Sequence, residues 1–239
     1  MCDAHRPLKG SITTFIDNAV QSVAPLTILR AMKRQAGFSI IELMITITIV
    51  GVLMGVGIPG VESYIYNSRL TTQINSLATS LMHARSEAIK LNQRVVVCVS
   101  SNGTQCAAGG GGTLWNKGWI VFVDRNGDSN IDAGAPGHDD CAANSTTDCV
   151  ISVQAAFPGI NTLTPAGSVV DVVGYVGSGA SRCNIDASID TLEACPNSTS
   201  FFTLCDFRGA TYAKAVAISN TGRVASITKQ PNGSALTCP

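Results

Sequence analysis

The sequence predicts an α+β protein: a long N-terminal α-helix, its first half transmembrane, followed by an antiparallel β-sheet domain with disulfide-bounded loops. Three observations carry this. A nearly all-apolar run from Phe38 to Val61 flows into a stripe of apolar residues at helical spacing. After Asn92 the period changes to short β-branched runs. Eight of the nine cysteines lie beyond the apolar run.

The helix comes first in the chain. About 20 apolar residues at 1.5 Å rise cross a bilayer core of roughly 30 Å. The run from Phe38 to Val61 is long enough, which places a transmembrane segment at about 38–61. Arg30, Lys33 and Arg34 flank it on one side, and the next basic residue is Arg69. Basic flanks stay on the cytoplasmic side, so the bulk of the chain is expected outside. A secretory signal peptide would have a shorter apolar core and a small-x-small cleavage site. Here the run continues into Leu70, Ile74, Leu77, Leu81, Ala84, Ala88 and Leu91, a stripe with alternating steps of four and three. One helix over 38–92 is therefore expected. Gly51, Gly55, Gly57, Pro59 and Gly60 interrupt its middle, where a kink or a weak section is expected.

Residues 1–37 read as a leader outside the mature fold. Met32 opens the basic "MKRQAG", so either it is the true start and 1–31 is a start-site artefact, or the leader is unusually long.

The β domain spans 93–239. "RVVVCVS" (94–100), "GWIVFVD" (118–124), "CVISVQAAF" (149–157), "SVVDVVGYVG" (168–177) and "SFFTLCDF" (200–207) read as strands. "AKAVAISNTGRVASI" (213–227) reads as a hairpin turning at "NTG". The segments 101–117, 125–148 and 178–199 read as long loops. An even number of cysteines beyond a membrane segment indicates disulfides in an oxidising compartment. Local spacing suggests Cys98–Cys106, Cys141–Cys149, Cys183–Cys195 and Cys205–Cys238, although the parity alone is fixed by the sequence. At least one of Trp115 and Trp119 is expected in the core.

Charge excludes some functions. From Phe38 onward there are eleven Lys/Arg and fourteen Asp/Glu, so the domain is slightly acidic and a nucleic-acid partner is disfavoured. No C-x-x-C pair occurs, and His5, His83 and His138 do not cluster with thiols, so neither a metal nor another cofactor is expected. No Ser–His–Asp or Cys–His arrangement suggests an enzyme. "DRNGDSNID" (124–132) imitates a calcium loop, but Gly127 is fourth in it and Ala135 stands where the twelfth-position Glu belongs. A polar β-turn is the better reading. "GGGG" (109–112) lacks a following Gly-Lys-Ser/Thr and reads as a flexible loop.

One acid remains, Glu42, inside the apolar run. "GFSIIEL" there resembles the prepilin motif of type IV pilins and type II secretion pseudopilins: a basic leader ending in Gly, then Phe, three mostly apolar residues and Glu. "LMHARSEAIKLNQRVVVCVS", "GWIVFVDRNGD" and "ISNTGRV" resemble the GspH/FimT family, which contains the minor pseudopilin H of type II secretion and the minor pilins FimT and FimU. The likeness covers most of the chain from Gly37.

The resemblance implies a type IV pilin-like fold, cleavage after Gly37 by a prepilin peptidase, and N-methylation of Phe38. It implies a precursor in the cell inner membrane, single-pass, with a periplasmic C-terminal domain. It further implies assembly with other pilin or pseudopilin subunits, on an inner-membrane platform, into a periplasmic filament serving protein secretion. Glu42 would pair with a neighbour's freed N-terminal amine; by itself it also suits the positive end of a helix dipole. The alternative is a DNA-binding minor pilin. Some FimT-like pilins carry Gly-Arg-x-Arg near the C-terminus; here Gly222 and Arg223 match, and Ala225 replaces the second Arg.

Overall fold

The structure, a computed structural model, describes residues 37–107, 115–132, 134, 135, 137, 146–167, 169, 171–183, 192–196 and 200–239, with backbone alone over 56–60. The expected leader up to 36, the "GGGG" stretch, His138 and Cys141 lie outside the described residues. The chain divides into two compact units, one ending at Leu53 and one running from Met54 to Pro239.

Helix α1 runs from Ile40 to Leu91. Helical backbone continues through 51–60, across the Gly/Pro cluster. One proline removes a single helix hydrogen bond, and helix propagates from the strong turns on both sides. Among the described residues no helix is long and apolar enough to cross a membrane. The span expected over 38–61 is thus not met as drawn: the described apolar side chains stop at Met54 and resume at Val61, and nothing is described of the side chains of 56–60.

In the larger unit, Leu70, Ile74, Leu77, Leu81, Ala84 and Ala88 are at most 4% exposed, as the stripe requires. Leu91 departs from it and is exposed, because the helix ends there. Asn92 takes φ 51°, Gln93 N–H donates to Ala88 C=O at 3.2 Å, and Asn92 N–H to Ile89 C=O at 3.4 Å. This is a Schellman stop, with Asn as the left-handed residue.

Ten strands follow: β1 Arg94–Val99, β2 Gly118–Asp124, β3 Cys149–Ala155, β4 Thr162–Ala166, β5 Val172–Tyr175, β6 Ser181–Cys183, β7 Glu193–Ala194, β8 Phe201–Cys205, β9 Lys214–Ile218 and β10 Val224–Ile227. They form two antiparallel sheets, ordered β3-β2-β1-β5-β6-β7 and β10-β9-β8-β4. β1 alternates between two cores. Val95, Val97 and Val99 face a large core shared with the α1 stripe, Phe202, Leu204, Val216 and Ile218. Val96 and Cys98 face a smaller core with Ile120, Phe122 and Ile131. Both faces of β1 and β2 are therefore covered, which is why those strands read as continuous apolar runs. Trp115 and Trp119 are both fully buried, 6.3 Å apart.

Three departures from expectation concern strands. β4 lies in a stretch not read as strand, β6 and β7 lie in the segment read as the loop 178–199, and the strand expected over 168–177 shrinks to β5. Cys98–Cys106, Cys183–Cys195 and Cys205–Cys238 are bonded. Cys149 is also disulfide-bonded; its expected partner, Cys141, lies outside the described residues.

Candidate assembly site

Gly37 to Ser39 lie outside the helix, which begins at Ile40. Among the described residues, a side chain at Gly37 would meet nothing within 4 Å. Glu42 lies in the first turn, where free N–H groups favour a negative charge. It has no ion partner among the described residues.

Around Glu42 the helix is apolar on every face. Phe38, Ile40 and Ile41 are exposed, and so are Leu43, Met44, Ile45, Ile47, Ile49 and Val50. A helix of this kind is stable only when something apolar surrounds it. Thr46 and Thr48 fit that setting: their hydroxyls donate to the carbonyls of Leu43 (2.8 Å) and Met44 (2.7 Å). Among the described residues, the run therefore presents almost no unpaired side-chain polar group apart from the acid.

Polar ties hold the second half of α1 to its sheets. Gln73 accepts from Asn161 at 2.7 Å. Arg208 donates to Asn67 at 2.9 Å, pairs with Asp206 at 2.7 Å, and stacks 4.1 Å over the Tyr212 ring. Arg85 donates to the carbonyls of Gly179 (3.0 Å) and Thr221 (2.9 Å). Gly222 closes that corner with φ +78°, and a Cβ there would sit 2.0 Å from the Gly179 oxygen. The glycine of the Gly222–Arg223 pair is thus required by packing. Arg223 itself is exposed at the β9–β10 turn.

The 124–132 stretch is a turn held by its own carboxylates. Asp124 pairs with Arg94 and accepts from Gly127 and Ser129 N–H at 2.8 and 3.0 Å. Asp148 accepts from Arg125 N–H at 2.8 Å and Asp132 N–H at 3.2 Å. Burial pushes the Asp148 carboxyl up to about 6, helped by the charges of Asp132 and Asp124 and opposed by those two N–H groups. Carboxylate oxygens of Asp124, Asp128 and Asp148 lie within 4.8 Å of one another, a set that a divalent cation could join. Arg94 already supplies Asp124 with positive charge, and the backbone takes up much of the remaining oxygen capacity. Nothing in the chain around Asp148 singles it out; its role depends on β3 being brought beside the β2 turn.

The profile of the type II transport protein GspH matches residues 73–222. The chain belongs to the GspH family. The prokaryotic N-terminal methylation motif matches residues 32–58 of this GspH-family chain, enclosing Gly37, Phe38 and Glu42. It is 32% identical over 74 residues to a fimbrial protein of Pseudomonas aeruginosa, covering 31% of this chain and 47% of that protein. It is 33% identical over 98 residues to the pilin-like protein PilA1 of Thermus thermophilus, covering 41% and 54%. The chain thus spans about half the length of these curated relatives. Among solved structures, the type IV minor pilin FimU of Pseudomonas aeruginosa aligns with a TM-score of 0.45 at 17% identity, over 74% of this chain and 99% of that one. The family is one of pilin-like structural subunits, and such proteins assemble with other pilin subunits.

Proposed function

We propose that this chain is a minor pseudopilin or pilin that is cut after Gly37, methylated at Phe38 and built through α1 into a periplasmic filament for type II secretion or a type IV pilus. The observation that supports it most is the exposed apolar start of α1, with one acid in its first turn that has no ion partner among the described residues. In this reading residues 38–61 hold the precursor in the inner membrane, 93–239 form the periplasmic domain, and a prepilin peptidase and an assembly platform handle the chain. An acid left unpaired at the centre of a bilayer costs about 3 kcal/mol, and less toward the helix end where Glu42 lies. A neighbour's new α-amine removes that cost, so pairing and assembly reinforce each other.

Mass spectrometry of the purified protein tests the processing, with a methylated Phe38 terminus expected; any other mature N-terminus refutes it. Glu42→Ala tests the pairing. Cleavage should proceed, because the cut lies upstream, and incorporation into filaments should fall. Normal incorporation would remove the charge-pairing argument. DNA binding through Arg223 is the second reading. It draws on an exposed guanidinium in a C-terminal stretch, 207–239, that holds no acid.

A further inference from the structure

Residues 207–239 carry Arg208, Lys214, Arg223 and Lys229 and no Asp or Glu. Arg208 is paired with Asp206. Lys214, Arg223 and Lys229 are exposed, and among the described residues none has an acidic partner.

Arg223 precedes β10 and Lys229 follows it, and Lys214 opens the neighbouring strand β9. β10 is the outer strand of the four-stranded sheet, and among the described residues it pairs with β9 alone. Ser219 N–H donates to Arg223 C=O at 3.0 Å, and the register runs from Val224 opposite Ile218 to Ile227 opposite Ala215. Antiparallel pairs alternate between bonded and non-bonded positions. Ala225 and Ile227 therefore bond inward to β9, while the N–H and C=O groups of Val224 and Ser226 point to the open edge. The opposite edge of this sheet, β4, contains Pro165, which has no N–H to offer. Beside β10 lies a groove of about 550 Å³, lined by Lys214, Lys229, Ile227, Ala213, Ala235 and Leu236.

Charges at a strand edge often serve to prevent aggregation. Here they are all of one sign, none has an acidic partner among the described residues, and the groove that holds Lys214 and Lys229 is also lined by Ile227, Ala213 and Leu236. We propose that the β10 edge receives an extended acidic segment of a neighbouring filament subunit. Its backbone would pair with Val224 and Ser226, and its carboxylates would meet Lys214, Arg223 and Lys229. This rests on the filament-subunit reading above. A second copy of this chain would bring the required charge: its residues 38–206 hold fourteen Asp/Glu and seven Lys/Arg. A basic edge meeting an acidic one is a head-to-tail contact, the kind that propagates along a filament. DNA is the weaker candidate, since its binding grows with the number of phosphates neutralised and phosphates make no use of a strand's free C=O groups.

The test uses the full chain in detergent and a fluorescein-labelled short peptide of alternating Glu and Val, followed by anisotropy. The control peptide has Gln for Glu. Ser226→Pro removes an outward N–H and no ladder bond, and Lys214→Gln/Lys229→Gln removes the lysine pair. The acidic peptide should bind, and each variant should weaken it about tenfold; salt should weaken it further. Equal binding of the Gln peptide, an unchanged Ser226→Pro, tighter binding of a DNA duplex, or no peptide binding would each overturn the proposal. If Ser226→Pro does not fold, the lysine variant and the Gln peptide decide. The N-terminal mass is read on the same sample: a methylated Phe38 without peptide binding rejects this inference alone, and an unprocessed terminus rejects its parent reading.

Discussion

Removing the Cys205–Cys238 bridge should cost more stability than removing Cys98–Cys106, and the difference isolates loop closure. The two pairs are matched in packing. Cys205 is 3% and Cys98 1% exposed, and both Cys238 and Cys106 are half-buried. Changing either pair to Ala therefore deletes similar contacts. The loops differ: 33 residues separate Cys205 from Cys238, and 8 separate Cys98 from Cys106. In the chain-entropy model these closures are worth about 3.7 and about 2.5 kcal/mol. The longer loop also contains β9 and β10, so Cys238 tethers the end of the four-stranded sheet to its inner strand β8. The assay is urea unfolding of the two double-Ala variants, followed by fluorescence of the buried Trp115 and Trp119. The Cys205/Cys238 variant should be the less stable by about 1 kcal/mol. Equal losses, or a larger loss from Cys98/Cys106, would refute loop-closure entropy as the source.

Two further outcomes follow from burial and charge. Leu77→Ala, at a fully buried stripe position, should cost about 2–5 kcal/mol, whereas Ile49→Ala, 54% exposed, should change the isolated chain by about 0.5 kcal/mol or less and act instead on filament incorporation. Thermal melts of the two variants check this, and equal shifts would contradict the packing. Asp148 has a folded pKa of about 6 against an ordinary 3.8, so its contribution to stability is present below the lower value and is lost as pH rises through the higher one. Melts of wild type and Asp148→Asn between those pH values should show wild type losing stability relative to the variant as pH rises. A constant difference across that range would show that Asp148 is not the titrating group.

Periodicity revealed the part of the fold that depends on one face of one element. The α1 stripe was legible because a helix meets its core every three or four residues, and it failed only at Leu91, where Asn92 turns the chain. The strands with β-branched runs were legible too. β4 escaped because "TLTPA" contains a proline and little apolar alternation, and β6 and β7 because two or three residues carry no period. Their pairing is settled by neighbours far away in sequence. The same is true of Asp148: its carboxyl matters through Arg125 and Asp132, which another strand delivers.

By itself the sequence determined the apolar start of the helix, the acid at Glu42, the family motif around Gly37 and Phe38, and an even set of cysteines beyond them. Those features depend on local spacing, and local spacing is written in the chain. Only the tertiary structure decided that the β domain is two sheets sharing one core, that Gly222 is held by Arg85 and Gly179, and that β10 ends its sheet with free N–H and C=O groups near cations that have no acidic partner among the described residues. Each of these depends on contacts between segments distant in sequence, and no local pattern encodes which segments meet.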